Sequence, residues 1–478
     1  MVSSAVPVMA SNSSAQEQIP VPLCLRPADR EESFSALLQW QNHFREQLRV
    51  IGNTWEEQDD GPSGEQLQQE LVWVLDDTVQ AVQRTPTSPW VGVERWATLT
   101  SEAAAELRSG GRKTSDAWRV RVRATAAELH TLWERRIRLR TPYQYLINSS
   151  PWGKHVLAVG PGVLIPRPET EMFFPDFVAG AVRANPGLAQ GPWLDLGTGS
   201  GAIAIAAAGL LCKKNKDAHV VAVDLSPIAL AFAAHNTRLC GLERHISTAQ
   251  GSWYQALRSP TPTEPNTLPP SQHTDHSSSS SSSSSNGHEC PAVEPRGQAH
   301  SHPTQSQQAQ TLPADAVRDG SASMGPGEVR KFAGILSNPP YIPSDQMQTL
   351  QPEVGRHEPW SALDGGVGSG MTCLDPICRG AAEFLLPGGV LALETAGGDQ
   401  AHEVAKLLRS LTSSSSSSSS SSPQTNTSSS SSLNAVQFAQ GTGPEGALHT
   451  RAPVFENVCV VKDCYDVDRF VTARRSAF

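Results

Sequence analysis

The sequence predicts an α/β fold: a Rossmann-like parallel sheet with helices on both faces, preceded by a small N-terminal helical domain and a linking β-hairpin. Three observations predict it. From residue 191 onward, apolar strand patterns alternate with helix patterns, which implies parallel strands joined by helical crossovers. One strand pattern runs straight into a glycine-rich turn and a helix, Gly191-Pro-Trp-Leu-Asp-Leu-Gly-Thr-Gly-Ser-Gly201 followed by Ala202-Ile-Ala-Ile-Ala-Ala-Ala208. Another, Phe332-Ala-Gly-Ile-Leu-Ser337, stops at Asn338-Pro-Pro-Tyr341.

The elements follow in order. Residues 1–30 read as a disordered or targeting segment. The first 16 residues are rich in Ser and Ala and lack acidic groups, which half-fits an organelle transit peptide, yet no Arg precedes Arg26. The compartment expected is therefore an organelle (chloroplast, alternatively mitochondrion), with the cytoplasm left open. Residues 31–142 carry apolar positions at three- and four-residue spacings, such as Phe34, Leu37, Trp40, Phe44 and Leu48, then Leu67, Leu71, Val74 and Leu75. A third helix is expected from Ala117 to Arg140, apolar on one face and Arg-rich on the other. Residues 143–171 predict the hairpin, His155-Val-Leu-Ala-Val159 and Val163-Leu-Ile-Pro166 flanking Gly160-Pro-Gly162. Residues 172–478 form the α/β domain, with strands near 192–196, 219–223, 245–249, 332–337 and 389–394, and helices near 200–211, 226–240, 370–385 and 399–411. Val454 to Val471 reads as two further strands, an antiparallel edge hairpin. Two serine-rich stretches, 258–330 and 412–434, cannot bury enough apolar area to offset their ordering entropy and are expected to be disordered inserts.

Composition narrows the function classes. The 478-residue chain has a net charge of −9 with 18% charged residues, which argues against a broad electrostatic footprint for nucleic acid. Its eight cysteines include no Cys-x-x-Cys pair, so no metal site is expected and reduced thiols are the default. No apolar run approaches the ~20 residues that span a bilayer, so no membrane association is expected.

Chemistry concentrates in two places. Gly197, Gly199 and Gly201 let the backbone turn tightly and approach a ligand, while the helix that follows offers free N–H groups. Glycines at the first, third and fifth positions depart from the first, third and sixth of the dinucleotide fingerprint. That favours S-adenosylmethionine over NAD, with Thr198 and Ser200 inside the loop. Asp224 ends the next strand, where an acid accepts from ribose hydroxyls. Asp195 either touches the ligand or orients the loop. Asn338-Pro-Pro-Tyr341 forms a rigid elbow, because neither Pro has an N–H and both have a fixed φ. It presents one amide, one backbone carbonyl (Pro339), a stiffening Pro340 and the face of Tyr341. Such a set can accept both hydrogens of a planar –NH2 and pack against its plane.

These motifs, in this order, resemble the HemK/PrmC protein-(glutamine-N5) methyltransferases, which modify peptide-chain release factors. Val163-Leu-Ile-Pro-Arg-Pro-Glu-Thr-Glu171 is similar to the family's signature between its two domains. Asp195 to Ala204 is similar to its cofactor loop, Val223-Asp-Leu-Ser-Pro-Ile-Ala-Leu230 to its ribose turn, and Gln250-Gly-Ser-Trp-Tyr254 to the segment where a Trp lines the adenine side. Ser337-Asn-Pro-Pro-Tyr-Ile342 and His357-Glu-Pro359 with Leu363-Asp-Gly-Gly366 complete the set, and Tyr143-Gln-Tyr-Leu-Ile147 is closer to plant and cyanobacterial members. The resemblance covers roughly residues 130–475 outside the inserts. It implies a class I S-adenosylmethionine-dependent methyltransferase, working as a monomer, with a class I release factor as protein substrate. Implied catalytic residues are Asn338, Pro339, Pro340 and Tyr341. Implied cofactor residues are Gly197, Thr198, Gly199, Ser200, Gly201, Asp224, Trp253 and Asn338. Glu169 and Glu171 either serve the site or brace the hairpin. Two rivals remain: a nucleic-acid amino-methyltransferase, since adenine N6 and cytosine N4 present the same planar –NH2, and a non-catalytic translation-associated protein.

Overall fold

The computed structural model describes residues 19–108, 117–258, 330–412 and 452–477. The serine-rich inserts, apart from their flanking residues, and residues 1–18 lie outside the described residues.

The N-terminal part is helical, as expected, but also carries a sheet. After a 3-10 turn at Leu23–Leu25, the chain forms β1 (Arg30–Ser33), α1 (Phe34–Ile51), α2 (Thr54–Asp59), α3 (Gly64–Thr78), β2 (Val79–Gln83), β3 (Val91–Gly92), α4 (Trp96–Arg108), β4 (Arg119–Val122) and α5 (Ala126–Leu139). Local chemistry sets the helix starts: Ser33 accepts from the Ala36 N–H, while Ser63/Gln66 and Thr125/Glu128 form capping boxes. The antiparallel sheet, in the order β1-β4-β2-β3, is a correction to the expectation of a small helical domain. The segment read as one helix from Ala117 splits, because Arg119-Val-Arg-Val122 alternates exposed Arg with buried Val, which is the period of a strand. The expected disordered segment also ends too late. Leu23 is fully buried in a core with Phe34, Trp96, Trp118 and Trp133, and β1 starts at Arg30.

The hairpin forms one step earlier than predicted. After α6 (Tyr143–Ile147) come β5 (Ser149–Trp152) and β6 (His155–Ala158), paired antiparallel across Gly153-Lys154. Gly160-Pro-Gly162 does turn, with the Val163 N–H donating to the Gly160 carbonyl. The Val163–Pro166 stretch then runs alongside α-helical residues Ala229 and Phe232 instead of pairing as a strand. The chain next enters α7 (Pro168–Ala184), with Pro168 at its first turn.

The rest builds a seven-stranded sheet, its flanking helices and a separate two-stranded pair, β11 with β12: β7 (Trp193–Leu196), α8 (Ala202–Leu211), β8 (Val220–Asp224), α9 (Pro227–Leu239), β9 (Ile246–Gln250), β10 (Phe332–Ser337), β11 (Ile342–Pro343), α10 (Pro352–Gly355), β12 (Asp364–Gly366), α11 (Leu374–Phe384), β13 (Leu385–Glu394), α12 (Asp399–Ser410), β14 (Phe455–Lys462) and β15 (Asp468–Arg475). The strand order is β14-β15-β13-β10-β7-β8-β9. Strands β9 to β13 along this order are parallel; β15 and β14 close the edge as the expected antiparallel hairpin. Alternate residues feed two cores. Trp193, Ala222, Ala333 and Leu336 pack with α7 and α8, while Leu194, Leu196, Val223, Ile335 and Leu393 pack with α11 and α12. The chain order reverses between β7 and β10. The crevice outside the carboxyl ends of strands at such a point is where open α/β sheets bind ligands.

Candidate active site

The glycine loop is sewn to the neighbouring strand: the Gly197 and Thr198 N–H groups both donate to the Val223 carbonyl at 2.9 Å. Gly197, Gly199 and Gly201 have φ of +73°, +55° and +85°. At Gly197 a Cβ would meet the Trp253 ring only at ordinary contact distance, 3.5 Å, so it is the left-handed backbone that calls for glycine there. Gly201 has a different task. It backs onto α9, where a Cβ would lie 3.1 Å from Ala233 Cα, and it does not line the cavity that its neighbours form.

Asp195 is fully buried under the loop. Its Oδ2 accepts from the Thr198 hydroxyl at 2.6 Å and the Ala204 N–H at 3.1 Å. Burial pushes its carboxyl up to about 7 against those two bonds. It is absent from the cavity wall, so of its two readings the geometry gives loop orientation. Asp224 does line the cavity. Its Oδ2 accepts from the Gly199 N–H and its Oδ1 from the Ser226 N–H, both at 2.9 Å. Burial raises its carboxyl, opposed by these backbone donors. Ser226 caps α9, its side chain accepting from the Ala229 N–H.

Beyond β10, the Ser337 hydroxyl donates to the Leu196 carbonyl at 2.6 Å and locks the end of this strand to the start of the glycine loop. Asn338 Nδ2 then donates to Thr170 Oγ1 at 3.3 Å. Thr170 Oγ1 donates to Glu394 Oε2 at 2.7 Å, and the Tyr341 hydroxyl donates to Glu394 Oε1 at 3.3 Å. Arg167 donates to Glu358 Oε1 at 2.7 Å, and the Ile165 N–H donates to Oε2 at 3.1 Å. This clasp joins the segment before α7 to the loop after α10. Glu171 braces the hairpin, its carboxylate accepting the Gly153 N–H. Sequence reasoning assigned no role to Arg167, Thr170, Glu358 or Glu394. Glu394 carried a signal: it is a lone acid ending an apolar strand, as Asp224 is.

Two cavities meet here. The larger, of about 370 Å³, is lined by Gly197, Thr198, Gly199, Ser200, Asp224, Trp253, Asn338 and Pro340 among others. This lies within the ~300–1,000 Å³ usual for small-molecule sites. The smaller, of about 180 Å³, is lined by Asn338, Pro339, Tyr341, Ile342, Leu350 and Val354. Asn338, Leu164, Arg167 and Ala362 belong to both walls.

The loop forming the outer wall of the smaller cavity is anchored by the N-terminal helices. Glu353 of α10 accepts from Arg136 at 2.9 Å and from Arg140 at 2.7 Å. Arg136 also bonds Glu70, Arg140 also bonds Asp59, and the Arg140 guanidinium lies 4.0 Å from the Trp55 ring centroid. Burial alone would raise the Glu353 carboxyl, but the two guanidiniums prevail and hold it below the usual range.

A cofactor with a sugar, a base and a charged tail fits the larger cavity. Asp224 offers acceptors at the end of β8, Trp253 a flat apolar face, and the loop backbone a close approach. Comparison with known proteins agrees. A methyltransferase-domain family profile matches residues 189–260. Release factor glutamine methyltransferase of Gloeobacter violaceus is 34% identical over 302 residues, 63% of this chain and 75% of the relative. Those of Thermosynechococcus vestitus and Synechocystis sp. are 32% and 33% identical, covering 61% and 58% of this chain and 78% and 68% of the relatives. With this extent of shared sequence, the chain belongs to the release factor glutamine methyltransferase family.

Proposed function

We propose that this enzyme methylates the side-chain amide nitrogen of the glutamine in the Gly-Gly-Gln motif of a class I peptide-chain release factor. The observation that carries the reading is the junction at Asn338, the point where the cofactor-sized cavity and a narrow second cavity share a wall. The narrow cavity suits one extended, uncharged side chain.

S-adenosylmethionine, when bound, supplies a sulfonium methyl that is electrophilic without any metal. The chain's residues then have to orient and polarise a weak nucleophile, since an amide lone pair is delocalised into its carbonyl. Asn338 Oδ1 and the Pro339 carbonyl each accept one amide N–H, which fixes the –NH2 plane and raises electron density on nitrogen. Pro340 stiffens the elbow, and Tyr341 packs beside the amide with its hydroxyl held by Glu394. Positioning of this kind can be worth ~7–11 kcal/mol. The nitrogen sheds its extra proton after the new bond forms, so no strong base is needed. In the larger cavity, Asp224 holds hydroxyls, Trp253 covers the base, and Gly197 to Ser200 present backbone.

Incubation of the purified protein with a class I release factor and labelled cofactor, followed by mass spectrometry, tests this. The expected product carries one methyl on that glutamine. Label on DNA or RNA with none on the release factor would overturn the reading. The enzyme is also proposed to act as a monomer, without direct nucleic-acid or membrane contact, and in an organelle, the chloroplast or alternatively the mitochondrion, with the cytoplasm as the other outcome. The last rests on the composition of residues 1–16, and imaging of a fluorescent fusion checks it.

A further inference from the structure

Glu394 lines neither cavity, yet it is fully buried at the end of β13 with a hydroxyl on each oxygen. A carboxylate can only accept hydrogen bonds. The one hydroxyl hydrogen of Thr170, itself 3% exposed, is therefore committed to Glu394. Thr170 has only lone pairs left for Asn338, and only the –NH2 end of the Asn338 amide can meet them. Once that end is fixed, Oδ1 is the end left for another molecule.

We propose that Glu394 is a positioning residue for methyl transfer: as a carboxylate it takes the Thr170 hydrogen, obliges Thr170 to accept from Asn338, and so presents Asn338 Oδ1, not Nδ2, to the substrate amide. This rests on the reading of Asn338 as the acceptor of a substrate N–H. Protonated Glu394 reverses the logic. Its own hydrogen can go to Thr170, which frees the Thr170 hydrogen for Asn338 Oδ1. The amide then turns its –NH2 to the substrate –NH2, donor against donor, and the nitrogen is no longer held.

The groups facing Glu394 are Thr170 and Glu169 of α7, Tyr341 after β10 and Arg469 of β15. Burial is the largest influence and pushes the carboxyl up to about 7; the Thr170 bond opposes it, Glu169 adds to it, and Arg469 and Tyr341 oppose it. Turnover is thus lost as pH falls through about 7. Asp195 titrates in the same range, but under the cofactor loop. Its bonds hold the cofactor loop, so its protonation is expected in the cofactor KM, which saturating cofactor removes from kcat.

The test measures kcat from pH 5.5 to 8.5 with both substrates saturating, and cofactor affinity by calorimetry. Wild type should lose kcat by about tenfold per pH unit below the midpoint. Glu394→Gln keeps shape but can donate or accept toward Thr170. It should lower kcat at pH 8 about threefold to tenfold, the worth of one neutral hydrogen bond, and abolish the acid limb, with cofactor affinity unchanged. Thr170→Val should lose as much, and Thr170→Ser should recover most of that loss. Wild-type kcat with an intact acid limb in Glu394→Gln, or wild-type kcat in Thr170→Val, overturns the proposal. If Glu394→Gln does not fold, the Thr170 pair decides. If wild type transfers nothing to a release factor, the functional reading fails, and the relay is judged by nitrogen-15 spectra of the Asn338 side-chain amide. Those signals should titrate near neutrality in wild type and stay flat in Glu394→Gln; flat signals in wild type overturn the relay.

Discussion

Asn338 separates chemistry from stability, because among the described residues its side chain hydrogen-bonds only the Thr170 hydroxyl, and it lines both cavities at their junction. Asn338→Ala should lower kcat by about 10²–10³-fold, the scale seen when one preorganised hydrogen-bonding group is removed from an active site. The melting curve should move little, and calorimetric cofactor titration should still show binding. Near-normal turnover would refute the assigned chemistry. Glu394 gives a thermal signature of its own. Its folded carboxyl is raised to about 7 from the ordinary 4.5, so the folded state binds the proton more tightly. The sign follows: this group costs nothing below its unfolded value, and its charge penalises folding increasingly as pH rises from about 4.5 through about 7. Glu394→Gln, which is never charged, should therefore gain in melting temperature relative to wild type between pH 5 and 8.5, as differential scanning fluorimetry would read. The glycine loop, Asp224, Trp253 and the Asn-Pro-Pro-Tyr elbow were legible in the sequence because each is a local signal. The clasp and the relay were not. Arg167 and Glu358 are 191 positions apart, and Thr170 and Glu394 are 224 apart; only the folded sheet brings them together.

At the scale of elements, the central strands β7, β8 and β10 were readable because burial on both faces makes them nearly continuous apolar runs. The small N-terminal sheet was not, since β1 is Arg-Glu-Glu-Ser and β3 only two residues long. The hairpin was placed too late because Gly160-Pro-Gly162 is the stronger turn signal, yet Gly153, at φ +56°, carries the paired turn. The contact between the glycine loop and α9 yields a prediction. Gly201→Val places a branched side chain at φ +85° and against Ala233. The left-handed backbone alone costs roughly 1–2 kcal/mol, and the overpacking typically adds 1–3 kcal/mol. The variant should melt several degrees lower and bind S-adenosylmethionine poorly. Unchanged calorimetric affinity would show that α9 does not set the loop.

For the whole molecule, the 259–329 segment joins β9 at the edge of the sheet to β10 at its centre. Its composition offers little apolar area, and each doubling of loop length costs only ~0.6 kcal/mol. Replacing residues 262–326 by a short Gly/Ser linker should leave melting temperature and cofactor affinity nearly unchanged. Loss of folding in that deletion would reveal a structural contribution from the segment.

The knot around Glu353 reaches further than the loop it anchors. It is a buried connection from the N-terminal core to the outer wall of the narrow cavity, through Arg136 and Arg140. Removing one partner of such a network typically costs 3–5 kcal/mol, because the charges left behind remain desolvated. That energy is shared between two hydrophobic cores, so it acts as a coupling between their unfolding events. Scanning calorimetry of the intact chain should then show a single cooperative endotherm, and Glu353→Ala should resolve it into two.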